Sequence, residues 1–134
     1  MNALLFILAC EPTEEYQKAS EPIPLQSLTQ SSDIDVTALY EKMKSKDVII
    51  IDVRTPQEYT QGHLPKAQNI PLQEFNDRIE DLGAYKDKEI FLVCASGGRS
   101  HSATQTLKKH GFSQAKNVLG GTRGWQAKGF PTDK

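Results

Sequence analysis

The residues with the clearest chemical potential lie in the segment 93–100, Val-Cys-Ala-Ser-Gly-Gly-Arg-Ser. Cys94 ends an apolar run, 89–94, that is typical of a buried strand, and a helix is expected to begin near Ser100. Binding sites of parallel α/β sheets lie at the carboxyl ends of strands. Two glycines let backbone N–H groups converge, the helix adds the positive end of its dipole, and Arg99 adds a full charge. We therefore expect a thiolate at neutral pH.

The other residues of this loop are candidates for binding an anion held next to the sulfur. They are Ala95, Ser96, Gly97, Gly98, Arg99 and Ser100. A cysteine at a strand end can also be a small buried apolar side chain with no chemical role. The succession of strand, Cys94, glycine-rich loop, arginine and helix favours the reactive interpretation.

Several polar residues outside the loop are expected to be structural. Asp52, Arg54 and Glu58 could suggest catalysis, but Arg54 and Glu58 follow a buried strand closely, and a structural ion pair or a turn hydrogen bond would explain them. His63 lies in a Gly-His-x-Pro turn, and His101 is expected to be solvated in the first turn of the helix. Trp125 is expected to anchor the last helix by packing.

The elements that must position this loop alternate along the chain. Mostly apolar runs predict buried strands at 48–53 and 89–94, and two short strands are predicted at 68–70, before Pro71, and at 117–119. Amphipathic spacing and caps predict helices at 36–44, 72–82, 100–110 and 122–128, with Asp35 capping the first and Gly83 ending the second. Strands that alternate with helices favour an α/β fold with a parallel sheet.

The loop resembles the active-site loop of the rhodanese family, Cys-x-x-Gly-x-Arg-Ser. Further segments resemble the same family at 52–59, 62–65, 67–71, 102–103, 111–112 and 119–121, and also Leu107 and Trp125 match it. The resemblance covers about residues 34–131. Lys66 stands where the family usually has glycine, and we expect this departure to alter a turn without affecting the chemistry.

This resemblance implies a rhodanese-like fold, with a central, mostly parallel sheet of about five strands and helices on both faces. It also implies a sulfurtransferase that takes a sulfane sulfur from a donor such as thiosulfate and holds it as a persulfide on Cys94. The sulfur then passes to cyanide or a thiol, in two displacement steps with ping-pong kinetics. No cofactor is implied.

Three other functions remain as alternatives. Some phosphatases with rhodanese-like folds have five residues between cysteine and arginine, whereas four separate Cys94 from Arg99 here, which suits sulfur better. A non-catalytic binding module of the same family would usually lack the loop cysteine. A disulfide oxidoreductase would need a resolving cysteine close by, and Cys10 is the only other cysteine.

The composition excludes several classes of partner. The 134 residues carry a net charge of -1, which gives no electrostatic reason to expect nucleic-acid binding. The cysteines and three histidines show no zinc-ligand spacing, and the glycine-rich loop matches no nucleotide-binding motif. The oligomeric state cannot be read from the sequence.

The N-terminal region differs in composition from the rest of the chain. Residues 1–10 form a short apolar run ending in Ala9-Cys10, which resembles a bacterial lipobox with Cys10 as the lipidated residue. Residues 11–33, rich in Glu, Ser, Gln and Pro, are predicted to be a disordered tether. We expect a lipid-anchored protein of the cell envelope, periplasmic or at the outer membrane, with a cytoplasmic protein as the alternative.

Overall fold

The computed structural model describes residues 31–134, in which five parallel strands form a single sheet. The strands are β1 (Asp33–Asp35), β2 (Ile49–Asp52), β3 (Gln68–Asn69), β4 (Ile90–Val93) and β5 (Ala115–Leu119). Their order across the sheet is β1-β5-β4-β2-β3, so β4 lies in the middle. In register, Asp52 of β2 pairs with Val93 of β4, which places the residues after both strands at the same edge.

Within residues 31–134, four α-helices and one 3-10 helix lie between the strands, and a fifth α-helix follows β5. They are α1 (Val36–Ser45), α2 (Pro56–Thr60), α3 (Leu72–Arg78), the 3-10 helix (Ile79–Tyr85), α4 (Gly98–Lys109) and α5 (Gly121–Ala127). Asp35 caps α1 as predicted, because its carboxylate accepts a hydrogen bond of 2.8 Å from the Ala38 N–H. Thr55 and Glu58 form a reciprocal capping box at the start of α2.

The helices cover both faces of the sheet, which confirms the predicted fold class. On one face of the sheet, a hydrophobic cluster joins side chains of β2 and β4 to α3, the 3-10 helix and α4, and it includes Phe75 and Leu107. The opposite cluster joins the alternate residues of these strands to α1 and α5, and includes Leu39 and Trp125. Both faces of β4 are therefore buried, as its continuous apolar run predicts.

Two elements differ from the sequence prediction. β1 was not predicted, and it begins at Asp33, inside the segment assigned to the tether. It forms because it pairs with β5, where the Asn117 N–H donates to the Ser32 carbonyl at 2.7 Å. Gly83 does not end the helix that follows β3. The chain tightens into a 3-10 helix at Ile79 and continues past Gly83, keeping Ile79 and Leu82 buried.

Lys66, which departs from the family pattern, has a left-handed backbone with φ of 68°. The backbone of this turn is in a conformation that glycine adopts without steric cost, whereas a lysine adopts it only with backbone strain. Lys66 Nζ also lies 3.4 Å from Asp47 Oδ1, in a pair that is exposed to solvent.

Between residues 31 and 134, we find no helix with the length and apolar character that crossing a membrane requires.

Candidate active site

Cys94 lies directly after the central strand β4, at the carboxyl edge of the sheet. Only 1% of the residue is exposed. The position follows from the sequence, because the buried run 90–93 forces the chain to turn where the apolar residues end. The structure thus places the predicted nucleophile at the edge where parallel α/β sheets carry their sites.

Gly97 makes the turn between Cys94 and α4. Its φ of 118° is a conformation open to glycine, and its N–H donates to Cys94 Sγ at 3.1 Å. α4 begins at Gly98, two residues earlier than the sequence predicted. The earlier start brings the positive end of the helix dipole closer to the sulfur.

Ser100 completes the surroundings of the sulfur. Its hydroxyl lies 3.3 Å from Cys94 Sγ, 3.2 Å from the Gly97 carbonyl oxygen and 2.6 Å from Asn117 Oδ1. One hydroxyl has one proton, so these three acceptors share a single donor. Asn117, a buried residue of β5, therefore controls where that proton points; its role could not be predicted from the sequence, because β5 is distant from the loop along the chain.

These contacts set the ionisation of the thiol. Burial by itself raises the pKa of Cys94, since it penalises the charged form. Hydrogen bonds from the Ser100 hydroxyl and from the backbone N–H groups of Ser100, Gly97 and Ser96 outweigh burial, and the pKa lies below its ordinary value. The loop therefore favours an anionic sulfur, as the sequence indicated.

The guanidinium of Arg99 is hydrogen-bonded to Glu58, a partner that the sequence did not predict. Its Nη1 donates to Glu58 Oε1 at 2.8 Å and its Nη2 to Glu58 Oε2 at 2.9 Å. The pair joins the start of α4 to α2, because the capping box holds Glu58 at the first turn of α2. The hydrogen bond from Arg99 is the main cause that lowers the pKa of Glu58 to about 2.

Arg54 forms its ion pair with Asp52, whereas Glu58 pairs with Arg99. The Nε and Nη2 atoms of Arg54 donate to the buried Asp52 carboxylate, with Nη2 2.8 Å from Oδ2, and Nη2 also donates to the Gly62 carbonyl at 2.7 Å. Register explains the partner choice: β2 ends at Asp52, and the chain bends back at once, so Arg54 reaches the residue two positions earlier.

The turn between β5 and α5 supports the Cys94 loop from the other side. The Thr122 N–H and hydroxyl both donate to the Cys94 carbonyl, at 2.8 and 3.2 Å, and the Arg123 N–H donates to the Ala95 carbonyl at 3.0 Å. Gly121 approaches so closely that a Cβ there would lie 2.4 Å from the Cys94 oxygen. This support was missed from the sequence, although the pair Gly120-Gly121 marked an unusual turn.

The remaining predicted residues lie where structural roles require them. His63 is buried and stacks on Tyr59 at 3.7 Å between ring centroids, and its Nδ1 lies 2.9 Å from the Tyr59 carbonyl. His101 is exposed. Trp125 is fully buried, with its indole N–H donating to the Pro131 carbonyl at 2.7 Å. Cys10 lies outside the described residues.

No group of three or more His, Cys, Asp and Glu side chains within residues 31–134 could hold a metal ion.

Comparison with known families identifies the family of this domain. The family model of the rhodanese-like domain matches residues 35–128, most of the chain. This chain belongs to the rhodanese family. A protein of Allochromatium vinosum named sulfurtransferase is 32% identical over 101 residues, which are 75% of this chain and 92% of that protein. Sulfur transfer is thus the chemistry to which the family and this relative assign the domain.

Other relatives agree on the rhodanese domain. YrkF of Bacillus subtilis is 38% identical over 97 residues, 72% of this chain, and the chain spans about half the length of that relative, 51%. The crystal structure of a rhodanese-related protein from Thermoplasma volcanium superposes with a TM-score of 0.69 at 32% identity, covering 75% of this chain and 96% of that one.

Proposed function

We propose that this rhodanese domain transfers a sulfane sulfur through a persulfide on Cys94, with thiosulfate as a donor and a thiol or cyanide as acceptor. The observation that carries the proposal is the placement of Cys94 Sγ, which accepts from the Gly97 N–H at 3.1 Å and lies 3.3 Å from the Ser100 hydroxyl. These donors favour the thiolate, which is the form that attacks sulfur.

The reaction consists of two displacements. In the first, the Cys94 thiolate attacks the outer sulfur of thiosulfate, the sulfur–sulfur bond of the donor breaks, and sulfite leaves with the electron pair. In the second, the acceptor attacks the terminal sulfur of the persulfide, and the Cys94 thiolate leaves with the pair. The same loop donors that favour the thiolate stabilise the anionic persulfide between the two steps.

The test is single turnover of the full chain with thiosulfate and no acceptor, followed by intact mass spectrometry. We expect a gain of one sulfur atom and release of one sulfite per chain. Cys94→Ser should gain no sulfur, whereas Cys10→Ser, which alters the other cysteine, should react like the wild type. A wild-type chain that releases no sulfite would contradict the proposal and favour a binding module.

The phosphatase alternative is tested in the same preparation. Hydrolysis of a phosphate monoester that depends on Cys94, with no sulfur gained from thiosulfate, would favour that alternative over sulfur transfer. The four-residue spacing between Cys94 and Arg99 supports the opposite result.

We further propose that Cys10 is lipidated and that the protein is anchored in the cell envelope. The support is the apolar run that ends in Ala9-Cys10. Wild type should fractionate with membranes of the native host, because two or three acyl chains give stable anchoring, and Cys10→Ser should not. Soluble wild-type protein that retains Met1 would contradict this proposal and favour a cytoplasmic protein.

A further inference from the structure

A polar cavity of about 270 Å³ lies beside the Cys94 loop, with Ala95 in its wall. The other residues that matter for its chemistry are Arg54, Glu58, Gln61, Arg123 and Gln126. Ala95 follows Cys94 directly, and Thr122, which also lines the cavity, donates to the Cys94 carbonyl, so the cavity borders the backbone of the Cys94 loop.

Arg54 presents an unused donor to the cavity. Its side chain is only 8% exposed, and Nε and Nη2 are engaged by Asp52 and the Gly62 carbonyl. Nη1 donates to no group within residues 31–134, although every fully buried side-chain nitrogen and oxygen in this region has a partner. Arg54 is one of the residues that line the cavity, and Nη1 is the nitrogen of its guanidinium that has no partner among the described residues.

Arg123 provides the second cation. Its backbone is fixed to the site, since its N–H donates to the Ala95 carbonyl at 3.0 Å. The residue is exposed, and none of the ion pairs formed within residues 31–134 includes its guanidinium. Arg123 is thus free to bind an anion that enters the cavity.

One carboxylate, that of Glu58, also lines the cavity. Both of its oxygens accept from Arg99, at 2.8 and 2.9 Å, so its charge is compensated. Asp52 compensates Arg54 in the same way. The positive charge of Arg123 is then left without a counter-charge among these groups, and the cavity favours anions over cations.

We propose that this cavity is an oxyanion subsite, in which Arg123, backed by Arg54 Nη1, binds the sulfonate end of the sulfur donor. This inference rests on the proposed function. The sulfonate oxygens bind in the cavity while the outer sulfur of the donor faces Cys94. As the sulfur–sulfur bond breaks, the departing sulfite gains negative charge, and Arg123 stabilises that charge. Arg123 therefore determines specificity for anionic donors.

The first test measures thiosulfate kinetics in four variants of the full chain. Arg123→Gln should raise KM for thiosulfate about 10-fold, as expected for loss of a charge-assisted contact, and Arg123→Glu should raise it further. Arg123→Lys should stay within about 3-fold of wild type, because the charge remains. Arg78→Gln is the matched control, since Arg78 is a partly exposed arginine of α3 that pairs with Asp81. It should not change KM.

The second test does not depend on sulfur transfer. Iodoacetate and iodoacetamide alkylate the same thiolate, but the first carries a negative charge and the second none. Arg123→Gln should slow alkylation of Cys94 by iodoacetate about 10-fold and leave alkylation by iodoacetamide unchanged.

The two tests separate the two proposals. If persulfide forms but Arg123→Gln changes neither KM nor the iodoacetate rate, the subsite is wrong and the proposed function stands. If no variant takes sulfur from thiosulfate but the iodoacetate rate alone falls in Arg123→Gln, Arg123 binds anions at this cavity, whereas its assignment to a sulfur donor and the proposed function are wrong. Equal slowing of both reagents would also overturn the subsite, because Arg123 would then act on the loop.

Discussion

Arg99 and Glu58, 41 residues apart in sequence, form a bidentate ion pair, in which Nη1 lies 2.8 Å from Oε1 and Nη2 lies 2.9 Å from Oε2. The pair connects the first turn of α4, which follows Cys94, to the first turn of α2. Its geometry fixes the loop arginine against the scaffold. Arg99 is therefore a positioning residue for the loop.

The Arg99–Glu58 pair should contribute measurably to stability. Both side chains are more than a third exposed, so we expect a coupling free energy of about 0.5–1 kcal/mol from a double-mutant cycle with Arg99→Ala and Glu58→Gln. Urea unfolding at pH 7 measures it. Additive single-variant effects would show that the pair contributes nothing.

The same pair predicts how acid affects stability. The Glu58 pKa falls from its ordinary 4.5 to about 2 on folding, chiefly through the hydrogen bond from Arg99. The ionised Glu58 therefore contributes to the free energy of unfolding above about pH 4.5, and this contribution is lost as the pH falls toward 2. Glu58→Gln should lack this part of the pH dependence. An identical acid profile in both proteins would contradict the assignment.

Ser100→Ala should raise the pKa of the Cys94 thiol, because the Ser100 hydroxyl is the strongest of the hydrogen bonds that lower it. Alkylation by iodoacetamide should slow at neutral pH and reach the wild-type rate at high pH, where both thiols are ionised. Ser102→Ala, an exposed serine of the same helix, is the control and should follow the wild-type pH profile. A wild-type profile in Ser100→Ala would leave the backbone N–H groups as the only effective donors.

Gly121→Ala should destabilise the fold and disturb the loop. Gly121 has φ of 57°, and an added Cβ would lie 2.4 Å from the Cys94 carbonyl oxygen, so the backbone of the loop must move. We expect a loss of at least ~2 kcal/mol in urea unfolding, together with slower persulfide formation.

The control for this change is Gly124→Ala in the same helix. A Cβ there meets Val36 Cγ1 at 3.7 Å, an ordinary contact. Because alanine favours a helix more than glycine does, Gly124→Ala should be neutral or more stable than wild type. Equal losses in the two variants would mean that helix α5 is sensitive everywhere and that the contact with the Cys94 loop is not special.

Lys66→Gly should stabilise the protein. The left-handed backbone at Lys66 costs about 1–2 kcal/mol for a residue with a Cβ, and the greater freedom of glycine in the unfolded chain returns about 0.5–1 of this. We expect a net gain of about 0.5–1 kcal/mol in urea unfolding. Lys66→Ala removes the exposed pair with Asp47 but keeps the strain, so its stability should stay near that of wild type.

The sequence by itself determined the alternation of strands and helices and the place of the nucleophile. The run 90–93 is apolar at every position, which happens only in a strand buried on both faces, and Cys94 stands where the run ends. The capping residues Asp35 and Thr55 act through contacts three residues away, so local sequence is enough to predict them. Several separate motifs resemble the rhodanese family, and they predicted the family as well.

Only the tertiary structure decided which charged and polar groups meet. Arg99 finds Glu58 and Ser100 finds Asn117 because the parallel sheet brings distant strand ends to one edge, and nothing in the local sequence encodes those distances. β1 exists only through its pairing with β5, since three residues carry no strand signal of their own. Sequence patterns report periodicity and local bonding, whereas the partner of a side chain depends on the packing of the whole sheet.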